Sequence, residues 1–217
     1  MFKAILAAII AYLIGSINFA VIFGKLFMKT DVRSMGSGNA GTTNVMRNGG
    51  FLPGALTFIF DALKGLAAVL IGELLFENII RYDATAVSWA KPIYGAYLCG
   101  TLCMLGHIFP VFFQFKGGKG VATSVGIFSV CSPIAIISGL CVFAVTTIIS
   151  KFVSLASLLA TVTVVVLSII FYDNTALLWP QALMAIIMGT MVFLKHKDNI
   201  KRLIAGNENK IGGKKRG

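Results

Sequence analysis

The sequence predicts an all-α integral membrane protein of about seven transmembrane helices, two of them short, with its N-terminus outside and its C-terminus cytoplasmic. Three observations carry that expectation. Of 217 residues, 57% are hydrophobic and only 12% are charged, against about 25% charged in an ordinary soluble domain, and mean hydropathy is +0.88. The apolar residues also fall into runs of about the length that crosses a bilayer. Finally, 19 Lys and Arg stand against 8 Asp and Glu, a net charge of +11, and the excess sits in particular loops. In a membrane protein such an excess fits anionic headgroups or anionic substrates better than nucleic acid.

Residues 4–23 read as a first helix that is retained, because the apolar run is long and no Ala-x-Ala cleavage site follows it. Gly15, Ser16 and Asn18 on it would let another helix approach closely. Residues 25–50 are polar, with Lys25, Lys29, Arg33 and Arg47 against Asp31. Residues 51–76 form a second span, on which Asp61 and Lys64 are spaced to pair at i and i+3. Residues 78–91 make a short loop of balanced charge, and residues 92–113 a third span. Residues 121–149 are apolar but interrupted by Ser132-Pro133, and residues 152–172 and 175–194 are two spans joined by Asp173-Asn174. The tail carries eight basic residues, Lys195, Lys197, Lys201, Arg202, Lys210, Lys214, Lys215 and Arg216. No repeat or second soluble domain is visible, so residues 1–217 are expected to be one domain.

Basic loops stay in the cytoplasm. The loop around Arg33 and Arg47 is therefore inside, the 78–91 loop outside, and the segment at residues 115–123 inside. Counting back from the basic tail puts Asp173-Asn174 outside and Lys151 inside. Residues 121–149 then begin and end on one face and must turn back, with Pro133 at the bend. Each arm is expected to be about 12–14 residues, roughly 20 Å of helix, short for a ~30 Å hydrocarbon core.

Three cytoplasmic segments carry the chemistry. Phe115-Lys116-Gly117-Gly118-Lys119-Gly120-Val121-Ala122-Thr123 places three glycines in four residues beside two lysines, at the start of an apolar run. Glycines let backbone N–H groups crowd one anion, and a helix opening at Val121 adds free donors and partial positive charge. The pattern is not a nucleotide P-loop, which needs a Gly where Phe113 stands and a Gly-Lys-Ser/Thr ending. The segment 36–47 holds Ser37, Asn39, Thr42, Thr43, Asn44 and Arg47 among glycines. Hydroxyls, amides and a guanidinium fork suit a polyol and its phosphate. In the third segment His196 and Asn199 share a helical face at the membrane end of a basic stretch. Ser154 and Ser157 add a cytoplasmic hydroxyl cluster, which can also simply cap or back-bond its helix. Cys99, Cys103, Cys131 and Cys141 lie in apolar runs without a ligand-spaced His or carboxylate, and read as small buried hydrophobes. His107, before Phe109-Pro110, reads as a structural histidine.

Gly36-Ser37-Gly38-Asn39-x-Gly41-x-Thr43-Asn44-x-x-Arg47, Gly106-His107-x-Phe109-Pro110 leading to Gly117-Gly118-Lys119-Gly120-Val121-Ala122-Thr123, and His196-x-x-Asn199-Ile200-x-Arg202-Leu203-x-x-Gly206-x-Glu208-x-Lys210 together resemble the bacterial acyl-phosphate:glycerol-3-phosphate acyltransferases, the PlsY family. Thr42 stands where Ala is usual there, and Asp198 where Glu is usual. The resemblance implies a seven-helix enzyme of the bacterial cytoplasmic (inner) membrane, working on the cytoplasmic side in phospholipid synthesis. It implies transfer of a fatty acyl group from acyl phosphate to the sn-1 hydroxyl of glycerol 3-phosphate, giving lysophosphatidic acid and phosphate, with membrane lipid as the surroundings and no cofactor, metal or nucleic acid. By position, Gly117, Gly118, Gly120 and Val121 would hold the donor's phosphate. Ser37, Arg47, Lys119, Ser154, His196 and Asn199 would surround glycerol phosphate and the reacting carbonyl, with Asn39 and Asn44 in the binding set, and Glu208 would be structural. All three segments are expected to meet in one cytosolic pocket. Two rival classes would look different. A phosphate transporter should show an inverted repeat and midplane polar groups, and a lipid-binding protein would need the basic tail but no hydroxyl–amide cluster.

Overall fold

The computed structural model describes residues 2–82, 92–171 and 178–211. Among them are ten α-helices and no strand: α1 Phe2–Ser16, α2 Phe19–Met28, α3 Thr42–Gly49, α4 Phe51–Tyr82, α5 Pro92–Ile108, α6 Val121–Cys131, α7 Pro133–Ser150, α8 Val153–Ile170, α9 Leu178–Lys195 and α10 Lys197–Ile204. The chain falls into two compact units, Met1–Cys131 with α1–α6 and Ser132–Gly217 with α7–α10. The Asp173-Asn174 turn, residues 83–91 of the balanced loop, and Lys214, Lys215 and Arg216 lie outside the described residues.

Among the described residues five helical stretches are long and apolar enough to cross a membrane, Ala4–Met28, Phe51–Phe76, Ile93–Phe113, Pro133–Ser150 and Val153–Ile170, and two shorter apolar helices, Val121–Cys131 and Trp179–Lys195, accompany them. Three boundaries differ from the expectation. The first span is two helices, because Asn18 leaves helical geometry and its Oδ1 accepts the Val21 N–H, capping α2. The third helix stops at Ile108, since Pro110 cannot continue it. The arms of 121–149 are unequal. Pro133 takes the first helical position of α7, where its missing N–H does no harm, so α7 runs 18 residues and α6 only 11. At 1.5 Å per residue α7 is about 27 Å long, a full crossing, and α6 about 16 Å.

In the first unit α5 packs against α1 and α4, while α2, α3 and α6 pack on α4. With lipid as apolar as the side chains, association rests on close backbone approach and van der Waals contact. Gly15 of α1 lies against the Cys103 carbonyl of α5, Gly72 of α4 and Gly95 of α5 face each other, and Gly126 of α6 lies against the Ala62 carbonyl of α4. A β-carbon at any of these would strike backbone.

In the second unit α7 and α8 form a hairpin joined by Lys151 and Phe152, and α9 and α10 pack on α8. Ser150, Ser157 and Thr161 donate to carbonyls one turn back, which satisfies their hydroxyls inside apolar helices. The chain after α10 returns to this hairpin. The Ile211 N–H donates to the Lys151 carbonyl at 2.9 Å, and Lys210 Nζ sits 5.4 Å from the Phe152 ring centre. Ile149 and Trp179 are 78% and 80% exposed, outward apolar faces that suit hydrocarbon rather than water.

Candidate active site

The glycine loop is built onto the end of α5. The Gly117 N–H donates to the Ile108 carbonyl and the Gly118 N–H to the His107 carbonyl, both at 3.2 Å. These two amides are therefore engaged inside the protein. Gly117 and Gly118 serve close approach instead. Gly118 is buried where a β-carbon would meet His107 Nε2 and, at 2.6 Å, the Ala40 carbonyl oxygen. Gly120 has φ +85°, the left-handed region that favours glycine. The first intrahelical bond here runs from Ser124 N–H to the Gly120 carbonyl, so the amides of Val121, Ala122 and Thr123 open α6 without intrahelical acceptors. Those amides and half-buried Lys119 lie together at the start of α6, where a helix N-terminus favours an anion.

The contact between Gly118 and Ala40 brings the first and second segments together. Arg33 reinforces the join. Its guanidinium grips Asp31 through Nε at 3.0 Å and Nη2 at 2.7 Å, while Nη1 donates to the Phe113 carbonyl at 2.9 Å. Hydrogen bonding from Arg33 holds the Asp31 carboxyl below its ordinary range, and Asp31 in turn raises Arg33. A depressed carboxylate pKa contributes stability above the unfolded value of about 3.9 and loses it as pH falls through the lower folded value. Thermal unfolding from pH 6 to 3 should therefore steepen below pH 4 in the wild type, and less so in Arg33→Gln. Equal profiles for the two proteins would remove this staple.

Within the first segment Ser37 and Arg47 are exposed and Asn39 is half-buried. Asn44 behaves differently. Its Nδ2 donates to the Val32 and Met35 carbonyls at 2.9 Å each, and its Oδ1 accepts from the Ser37 N–H at 3.1 Å and from Asn48 Nδ2 at 3.0 Å. Two donors and two lone pairs are all in use. Asn44 thus shapes the loop that presents Ser37.

In the second unit α10 packs against α8, whose first turn carries Ser154. The Ser154 hydroxyl is buried and has no hydrogen-bond partner among the described residues. Asn199 is buried, its Nδ2 donating to Glu208 Oε1 at 3.0 Å, and Glu208 Oε2 accepts from Arg202 Nε at 2.9 Å. Glu208 thus holds Asn199 in place. His196 Nδ1 lies 2.8 Å from the Val192 carbonyl. A carbonyl can only accept, so Nδ1 carries the proton and Nε2 is the acceptor nitrogen of the neutral ring.

Two features were not singled out as functional from the sequence, Arg33 and a cluster inside the first unit. Lys64 Nζ is 2.7 Å from Asp61 Oδ1 and 3.0 Å from His107 Nδ1, and all three side chains are buried. The signal for the cluster was present, since ionisable residues in an apolar span are rare. Arg33 had no local signal, because its partner carbonyl is eighty residues away.

A sequence model of the family described as glycerol-3-phosphate acyltransferase matches residues 5–206. The glycerol-3-phosphate acyltransferase of Thermoanaerobacter sp. (strain X514) is 42% identical over 211 residues, 97% of each chain. Glycerol-3-phosphate acyltransferase 2 of Bacillus anthracis is 44% identical over 207 residues, 95% of this chain and 98% of the other. The crystal structure of PlsY, an integral membrane glycerol 3-phosphate acyltransferase, in its glycerol 3-phosphate form has a TM-score of 0.78 at 36% identity, over 95% of this chain and 94% of that one. Its lysophosphatidic acid form gives 0.75 at the same identity and coverage. By these matches the chain, an all-helical multi-pass membrane acyltransferase, belongs to the glycerol-3-phosphate acyltransferase family.

Proposed function

We propose that the protein transfers a fatty acyl group from acyl phosphate to the sn-1 hydroxyl of glycerol 3-phosphate, on the cytoplasmic side of a bacterial inner membrane, releasing lysophosphatidic acid and phosphate. The observation that carries the reading is the seating of Gly118 against Ala40. It sets an anion-binding helix N-terminus beside a hydroxyl- and amide-rich loop, as a reaction between two phosphate-bearing partners requires. The forms of the solved relative, one with glycerol 3-phosphate and one with lysophosphatidic acid, fit an acceptor and a product of such a transfer. The family match runs through both compact units, which supports residues 1–217 working as one acyltransferase domain.

Acyl phosphate is an activated mixed anhydride, so positioning and electrostatics supply most of the catalysis. Positioning alone is worth about 7–11 kcal/mol. The glycerol hydroxyl oxygen forms a bond to the acyl carbon, the carbon–oxygen bond to phosphate breaks, and the hydroxyl proton leaves with a phosphate oxygen. Lys119 and the first-turn amides of α6 stabilise the departing phosphate, with an N–H serving the tetrahedral oxyanion. Gly117, Gly118, Gly120 and Val121 shape that cradle. Ser37, Asn39 and Arg47 hold the acceptor from the first segment. His196, with Nε2 as acceptor, orients a glycerol hydroxyl, while the donor phosphate takes the proton. His196→Ala should then raise the KM for glycerol 3-phosphate about tenfold or more and lower kcat by less. A collapse of kcat with unchanged KM would make His196 the base instead.

The deciding experiment gives purified protein labelled glycerol 3-phosphate with palmitoyl phosphate, palmitoyl-CoA or palmitoyl-acyl carrier protein. Lysophosphatidic acid from the acyl phosphate alone supports the reading. Product from a thioester alone, or only uptake of glycerol 3-phosphate into sealed vesicles, overturns it.

A further inference from the structure

Asp61, Lys64 and His107 form an enclosed polar cluster in an apolar bundle, 1%, 4% and 3% exposed, and the acyl-transfer chemistry makes no use of them. Burying such groups in a membrane is expensive, and they are ordinarily kept for a purpose. Lys64 Nζ has three neighbours, Asp61 Oδ1 at 2.7 Å, the Ile17 carbonyl at 2.6 Å and His107 Nδ1 at 3.0 Å. An ammonium has three protons and no lone pair. Of the two charged groups beside Nδ1, the Lys64 ammonium at 3.0 Å is closer than Asp61 Oδ1 at 3.5 Å; donation from Lys64 takes the Nδ1 lone pair and puts the ring proton of His107 on Nε2. That nitrogen faces the point where a β-carbon of Gly118 would sit, and the Ala40 carbonyl oxygen is 2.6 Å from the same point. The His107 carbonyl also accepts the Gly118 N–H. His107 therefore meets the glycine loop through both backbone and ring, at the place where that loop meets the first segment.

We propose that His107 is a positioning residue for the phosphate loop. The Asp61–Lys64 pair holds its ring as the Nε2–H tautomer, and that N–H keeps residues 117–121 in register against Ala40. The inference rests on reading this loop as the donor-phosphate site.

Gln and Asn separate the two halves of the ring, because the Gln amide nitrogen overlays Nε2 and the Asn amide oxygen overlays Nδ1. His107→Gln keeps a donor toward the loop, whereas His107→Asn keeps an acceptor for Lys64. A positioning role predicts a KM for palmitoyl phosphate near wild type in His107→Gln and about tenfold higher in His107→Asn. Deuterium uptake by amides 117–121 in detergent should be faster in His107→Asn only. A histidine that merely satisfies Lys64 predicts the opposite order, and that result, or equal effects, overturns the proposal. Nitrogen-15 spectra of the unmodified protein give a test that needs no variant to fold, since a proton found on Nδ1 of His107 sinks the idea. Should the wild type fail to use palmitoyl phosphate, the donor reading falls, while the exchange and tautomer results still decide whether His107 positions the loop.

Discussion

Asp61→Ala is expected to destabilise the protein by about 3–5 kcal/mol, because it strands the Lys64 ammonium in a buried site. The pair is 2.7 Å apart with both side chains almost wholly enclosed, so no solvent can replace the lost carboxylate. The remaining acceptors of Lys64, the Ile17 carbonyl and His107 Nδ1, are neutral and cannot balance a full charge. Removing both charges together is a different case. Asp61→Leu combined with Lys64→Met replaces the pair by apolar groups, which is often near neutral for stability. Thermal unfolding in detergent of the single and double variants checks the argument. A single variant within about 1 kcal/mol of wild type would show that the buried charge is relieved elsewhere.

Lys119→Ala is the second large effect, an expected fall of about 10²–10³ in kcat/KM. Lys119 lies between Gly118, which is wedged against Ala40, and Gly120, whose φ of +85° turns the chain into α6. Both flanks are held, so the backbone of Lys119 is fixed immediately before the first turn of α6. Charge on the departing phosphate grows through the transition state, and a preorganised cation there lowers the barrier more than it strengthens ground-state binding. Lys119→Arg should recover part of the rate, since charge is retained while the geometry of its donors changes. Steady-state kinetics with palmitoyl phosphate measure this, and an unchanged kcat in Lys119→Ala would move the electrostatic role to the helix N-terminus alone.

The candidate residues stand out in the sequence itself. The glycine–lysine run at 116–120, Ser37 and Arg47 in the first segment, and His196 and Asn199 in the third were all marked by composition unusual for loops beside apolar spans. Asn44 shows what the sequence leaves open. An amide in a glycine-rich loop looks the same whether it is aimed at a substrate or at its own backbone, and only the four bonds to Val32, Met35, Ser37 and Asn48 distinguish the cases. The first span misled for a related reason. Hydropathy averaged over residues 4–28 stays high across Ile17 and Asn18, although the cap at Asn18 splits the helix there and frees the Ile17 carbonyl for Lys64.

Membrane character, the positions of the apolar stretches and the family motifs follow from composition and from short-range order along the chain, which any unbroken run of residues displays. Which glycine amides are engaged within the protein, how Asn44 is bonded, and that His107 closes a cluster with Asp61 and with Lys64, the latter forty-three residues earlier, are of another kind. They depend on contacts between distant segments, such as Gly118 on Ala40. A hydrogen-bonding group takes its role from whatever partner packing brings within about 3 Å, and no pattern along a single helix or loop encodes that partner.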